Sequence, residues 1–194
     1  MGLWHVYYAG WQMECCGTPF SVGDEVSWQL LFTDADGMLG GGWHEELSKV
    51  VGPVGDLPEG DDEDGSVRVL REETGLTVAL GGESGADVGP GDRVRLVGLL
   101  SVEAHGDEWP EVSGRVRAVR VVSQEYAEMP PGSRSWEPVR GTGARRFRSV
   151  DECPKWFADG ERGEKGRRFM EAGVVVTLEV AEGDPELQAT PAAG

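Results

Sequence analysis

Two valine-rich runs, RVRLVGLLSVEA at 93–104 and GRVRAVRVVSQEY at 114–126, separated only by HGDEWPEVS, set the fold class of this chain. Apolar residues recurring every second position describe strands with one buried face. In the second run Val116 and Ala118 alternate with Arg115 and Arg117, and the alternation then slips at Val119. A slip from one face to the other is what a bulge, or a strand bending between two sheets, produces. Gly98, inside the first run, is likewise placed for a bend. Bent strands with glycine kinks build small closed barrels, which leave no exposed edge. The expectation is a mainly β protein on a small bent barrel, OB-like or SH3-like, with long loops. Thirty Gly and 11 Pro in 194 residues agree, because that density of breakers excludes long helical bundles.

The rest of the chain reads as shorter pieces. LWHVYY at 3–8 is a strand, WQMECCGTPF leads into a turn at Gly17 and Pro19, and Val26, Trp28, Leu30 and Phe32 share one alternating face. Gly23-Asp24 and Gly91-Asp92 each precede a strand, either as the echo of a duplicated β unit or as ordinary turn chemistry. Residues 34–46 read as a Gly- and Asp-rich loop, and 46–54 as either a helical turn or a strand. Val67–Leu70 and Leu76–Leu80 bracket a tight turn at Gly75, a hairpin signature. The whole is expected as one β domain over 1–180, with a mobile acidic loop at 55–66, a basic-aromatic excursion at 134–168 and a closing strand at 173–180. Ser149 would cap one short helical turn near the C-terminus, stopped by Pro154, and 181–194 would be a disordered tail.

Charge narrows the partners. The chain carries 35 Asp and Glu against 18 Lys and Arg, a formal charge of −17. Such a surface repels phosphate backbones and anionic lipid, so nucleic acid is disfavoured as a partner and no membrane is expected. No apolar run is long enough to span a bilayer, and the N-terminal residues do not resemble a signal peptide, which points to the cytoplasm. Residues 134–168 nevertheless hold ten of the 18 basic side chains, interleaved with Trp136, Phe147, Trp156 and Phe157. Such a segment either clamps a single-stranded nucleic acid or docks on the anionic remainder of its own chain, the simpler arrangement.

No catalytic constellation stands out, so enzymatic activity is left open. Cys15, Cys16 and Cys153 are three thiols, two of them adjacent, which is no disulfide framework. The spacing lacks the paired Cys-x₂₋₄-Cys of structural zinc, so neither metal nor cofactor is expected. Residues 82–86 resemble a nucleophile elbow without its last glycine. Asp34, Asp36 and Glu45 imitate a calcium loop but fail at Leu39, where the sharp turn wants glycine. Gly141-Thr142-Gly143 lacks the ending of a phosphate loop. Tryptophans beside turns, with His and carboxylates as neighbours, are a common way to build a recognition surface; the competing role for each is to plug a barrel end. The leading function is therefore a non-catalytic binding or regulatory module for a protein or small molecule, with Trp11, Cys15, Cys16, Trp43, His44, His105 and Trp109 as candidate contact residues on loops near 11–20, 40–46 and 103–110. A thiol- or metal-dependent enzyme centred on Cys15, Cys16 and His44 is the second class, and single-stranded nucleic-acid binding through 134–168 the third.

The phrases WQMECCGTPFSVGDEVSW, GGGWHEELSKVVGPV and REETGL resemble an uncharacterised family of actinobacterial proteins catalogued as a domain of unknown function, over Trp4 to about Tyr126. Gln12-Met13-Glu14-Cys15-Cys16-Gly17 is the most specific part. The resemblance implies a cytoplasmic bacterial origin and transfers no activity, cofactor or catalytic residue.

Overall fold

Alternating residues pair wherever a strand can bury one face, and in this computed structural model they do so over more than half of the described residues. Described are residues 2–57, 67–81, 88–105, 109–141, 143–160 and 166–181. In chain order the strands are β1 (Gly2–Ala9), β2 (Glu25–Trp28), β3 (Leu30–Thr33), β4 (Ser48–Asp56), β5 (Arg68–Arg71), β6 (Thr77–Leu80), β7 (Arg93–Val102), β8 (Val112–Glu128), β9 (Trp136–Pro138), β10 (Arg145–Val150) and β11 (Arg167–Val180). Helical structure among the described residues is confined to α1 (Gly10–Cys15) and a 3-10 turn at Met38–Gly40. The protein is mainly β, with 54% of the described residues in strands and 6% helical.

Five strands close on themselves. β4 pairs with β5 and β5 with β6; β6 runs parallel to β3, β3 pairs with β7, and β7 returns to β4. The small bent barrel expected from the sequence is thus a closed five-stranded ring. Closure depends on β7 serving two neighbours in succession. Its first part, from Arg93 to Gly98, pairs with β4, and Leu99 to Val102 pairs with β3. The change of partner falls at Gly98, where a Cβ would sit 2.5 Å from Phe32 Cζ and 2.7 Å from the Thr33 carbonyl oxygen. The barrel corner therefore requires glycine. Gly98→Val is expected to lower stability by about 2–3 kcal/mol, seen as an earlier midpoint in urea denaturation; an unchanged midpoint would show that the corner accepts a side chain.

Outside the ring, β8 is the spine of a second layer. It pairs with β11, β10, β2 and β9, while β1 lies antiparallel to β11 and parallel to β7. One core runs through both parts: Leu30, Phe32, Val50, Leu70 and Leu100 of the ring and Val6, Val116, Val119, Val176 and Leu178 of the outer sheet belong to the same buried cluster. The slip expected at Val119 lies slightly earlier. Leu178 faces Val116 and Thr177 faces Ala118, which leaves Arg117 as the extra residue, its guanidinium ion-paired with Glu179.

Other expectations meet local chemistry. The 67–80 hairpin forms, and 46–54, left open between helix and strand, supplies β4. At both Gly-Asp turns the glycine is left-handed (φ 101° at Gly23, 90° at Gly91). Each aspartate accepts the backbone N–H three residues earlier, Ser21 for Asp24 and Gly89 for Asp92. The following strands have different partners, so the shared phrase is turn chemistry. The closing strand begins at Arg167, ahead of the expected 173. The helical turn expected after Ser149 does not form. Val22 N–H donates to Asp151 O and Cys153 N–H to Phe20 O, which holds 151–153 extended as a bridge partner of the 20–22 segment. The short helix is instead α1, where the sequence suggested an approach to a turn. Most of the acidic stretch at 55–66, the 82–86 elbow and the tail beyond 181 lie outside the described residues. Among the described residues, no helix is long and apolar enough to cross a membrane.

Candidate functional site

The parallel pairing of β1 with β7, Val6 opposite Leu100 and Tyr7 opposite Ser101, places whatever follows the two strands side by side. After β1 comes α1, and after β7 comes the segment Glu103–His105. α1 has no side-chain cap; burial of Gln12 and Met13 holds it, with Trp11 and Cys15 left outside. Lys155 straps its end, donating to Met13 O at 2.7 Å and Gly17 O at 2.9 Å, and Glu14 accepts Phe157 N–H at 2.9 Å.

At this junction four candidate residues converge. Cys16 Sγ lies 3.2 Å from His105 Nε2 and Cys15 Sγ 4.0 Å from it. The Trp11 ring packs on the imidazole, centroids 5.2 Å apart at 32°. His105 N–H donates to Glu103 Oε1 at 2.9 Å, which fixes the approach of the loop. Cys16 leaves the helix at φ −140°, ψ −6°. Both adjacent thiols thereby reach one imidazole, although their spacing alone argued against a shared ligand. Desolvation and the neighbouring Cys15 thiol hold the Cys16 thiol above its usual range, which favours the protonated form over an activated nucleophile. Cys153 stands apart, buried and pushed up to about 12 by burial and then by Glu152.

Beside this group opens a cleft of about 470 Å³, where barrel strands β3 and β7 meet β1, α1 and β11. That volume falls within the range of small-molecule sites. Its acidic wall is Glu14, Glu103, Asp159 and Glu171, and among the described residues no Lys, Arg or His side chain lines it. Trp11, Phe157, Tyr7 and Tyr126 supply aromatic surface. Tyr7 donates its hydroxyl to Ala172 O at 2.6 Å, and burial keeps that phenol neutral. Gln12 is 4% exposed, and its Oε1 is buried without a hydrogen-bond partner.

The other candidate residues lie elsewhere. Trp43 and Trp109, carried by turn-rich stretches, are buried rather than presented: Trp43 Nε1 donates to Met38 O at 2.8 Å, and Trp109 Nε1 to Leu30 O at 3.1 Å. An indole with both faces packed and its N–H satisfied is a plug. His44 is exposed and takes no part in the thiol cluster, a place filled by His105. Of the 134–168 basic residues, Arg145 lies over Trp43 (3.6 Å), Arg146 over Phe169 (3.8 Å) and Arg168 over Trp136 (4.2 Å). Arg148 pairs with Glu171 and Arg167 with Glu125. These side chains are thus engaged by their own chain. Reasoning from sequence named Gln12 and Glu14 only within the family phrase and did not single out Glu103, Asp159 or Glu171; scattered over the chain, these carry no signal until the strands assemble.

A family model described as a family of unknown function matches residues 2–180. No curated protein and no solved structure matches the chain.

Proposed function

The chain belongs to that family of unknown function, DUF6578, and from this premise we propose that it is a non-catalytic binding module that takes the cationic, partly apolar end of a ligand into the cleft beside α1. The supporting observation is the cleft's lining: four carboxylates, of which Glu171 is already paired with Arg148, aromatic walls and, among the described residues, no basic side chain. An ammonium or guanidinium on an apolar stem is the complement of such a surface, held by charge at the acidic wall and by the π-faces of the rings. The ligand is a small organic amine or a Lys or Arg side chain on a partner protein. The formal charge of −17 draws such cations in. The proposal places the protein in the cytoplasm of actinobacterial cells, as the resemblance of its motifs implies.

Trp11, 60% exposed at the rim, is the natural reporter. Titration with agmatine, spermidine and Nα-acetyl-lysine amide is expected to give saturable tryptophan quenching, absent with the corresponding alcohols and carboxylates. Asp159→Asn and Trp11→Ala should each weaken binding about fivefold, roughly 1 kcal/mol. Replacing Cys15 and Cys16 together by serine should leave capture intact, which separates this reading from thiol chemistry at the Cys16–His105 contact. If no cation saturates the signal, the reading fails.

A further inference from the structure

We propose that Cys15, Cys16 and His105 form a binding site for one thiophilic d¹⁰ cation, Zn²⁺ or Cu⁺. The three donor atoms lie within 4.8 Å of one another. In tetrahedral geometry, ion–sulfur bonds of about 2.3 Å and ion–nitrogen bonds of about 2.0–2.1 Å put two sulfurs about 3.8 Å apart and a sulfur and nitrogen about 3.5 Å apart. The observed sulfur–nitrogen separations, 3.2 and 4.0 Å, straddle the tetrahedral value, each within about half an ångström of it.

The donor set suits this class of ion. Two thiolates and an imidazole are soft to borderline ligands, which select Zn²⁺ and Cu⁺ over Mg²⁺ or Ca²⁺. His105 presents Nε2 to both sulfurs, and the tilted Trp11 ring packs against its imidazole. The ligands arrive on two elements, the end of α1 and the segment after β7, which the β1–β7 pairing holds together. Cys15, Cys16 and His105 are all exposed, so Zn²⁺ would keep water in its fourth position, whereas Cu⁺ is satisfied by the three protein ligands. Each thiol releases its proton to solvent as the ion binds, with no change of oxidation state. The site adjoins the amine cleft, with Trp11 and Glu103 touching both, but its ligands are the thiols and imidazole rather than the carboxylates.

The test titrates the reduced full-length chain with Zn²⁺ and separately with Cu⁺, each against a chromogenic chelator selective for that ion. One equivalent is expected to transfer to the protein from at least one chelator, and which one identifies the ion. Cys16→Ser and His105→Ala should each weaken uptake at least tenfold, while Cys153→Ser leaves it unchanged. Because the substituted ligands are exposed, the variants should keep the parental circular dichroism. With Co²⁺ as a spectroscopic probe, thiolate-to-metal charge-transfer absorption should appear and be lost in Cys15→Ser. Failure of the parent chain to take up one equivalent of either ion overturns the proposal, as does uptake that survives all three ligand substitutions.

Discussion

Gly173→Ala is expected to remove about 3 kcal/mol or more of folding stability, a large share of the total a domain of ordinary stability possesses. Gly173 sits at φ +147°, and a Cβ there would lie 2.2 Å from the Tyr8 carbonyl oxygen and 2.8 Å from Gly10 N. Both are backbone atoms and cannot swing aside. The position is also pinned from two directions: it pairs with Ala9 of β1 and with Val122 of β8, directly after the register shift in β11. Relief of the clash therefore breaks one pairing or the other. Urea denaturation followed by tryptophan fluorescence should show a strongly reduced midpoint. Gly132→Ala is the control: Gly132 is left-handed at φ +81° with nothing within 4 Å of the added carbon, and should lose only about 1 kcal/mol. Equal midpoints for the two variants would show that the bulge has room to spare.

Trp43→Ala should cost about 3–5 kcal/mol by emptying a buried indole site. The loss reaches beyond volume. Trp43 packs on Tyr7 with ring centroids 5.5 Å apart, and the Arg145 guanidinium lies 3.6 Å over its ring. That guanidinium donates to Leu39 O and Gly41 O, both at 3.1 Å, while its Nε has no partner. Without the indole, a half-buried cation loses the surface on which it lies. Trp43→Phe should recover most of the stability, falling short by about 1–2 kcal/mol for the lost bond to Met38 O. A double-mutant cycle between Trp43→Ala and Arg145→Ala should reveal coupling of about 1 kcal/mol; strict additivity would deny the stacking any energetic part.

The ring was legible because its decisive instruction is local: Gly98 interrupts an otherwise continuous strand, and only a bend explains a glycine there. The helix was not. Gly10–Cys15 has no capping side chain and owes its form to burial of Gln12 and Met13, a tertiary effect without local signature. The 149–157 segment offered a cap and a stop, yet bonds to 20–22 outweighed them. At the site, Cys15, Cys16, Trp11 and His105 were all named from sequence, but the thiols were matched with His44. Proximity along the chain suggested His44; the parallel β1–β7 seam decides for His105. A parallel pair joins residues far apart in sequence, and no single strand announces that it will run parallel. Trp43 and Trp109 show the converse: neighbouring glycines and prolines resemble loop chemistry, while indole area decides burial.

β1 and β11 run antiparallel from Gly2 opposite Val180 to Ala9 opposite Gly173. Gly2 and Val180 therefore share one corner of the molecule, and tension drawn between them acts across the ladder rather than along it. Bonds loaded in that direction yield one by one, like a zipper, instead of resisting together. Loaded between Gly2 and Val180, this seam is expected to open pair by pair from that corner.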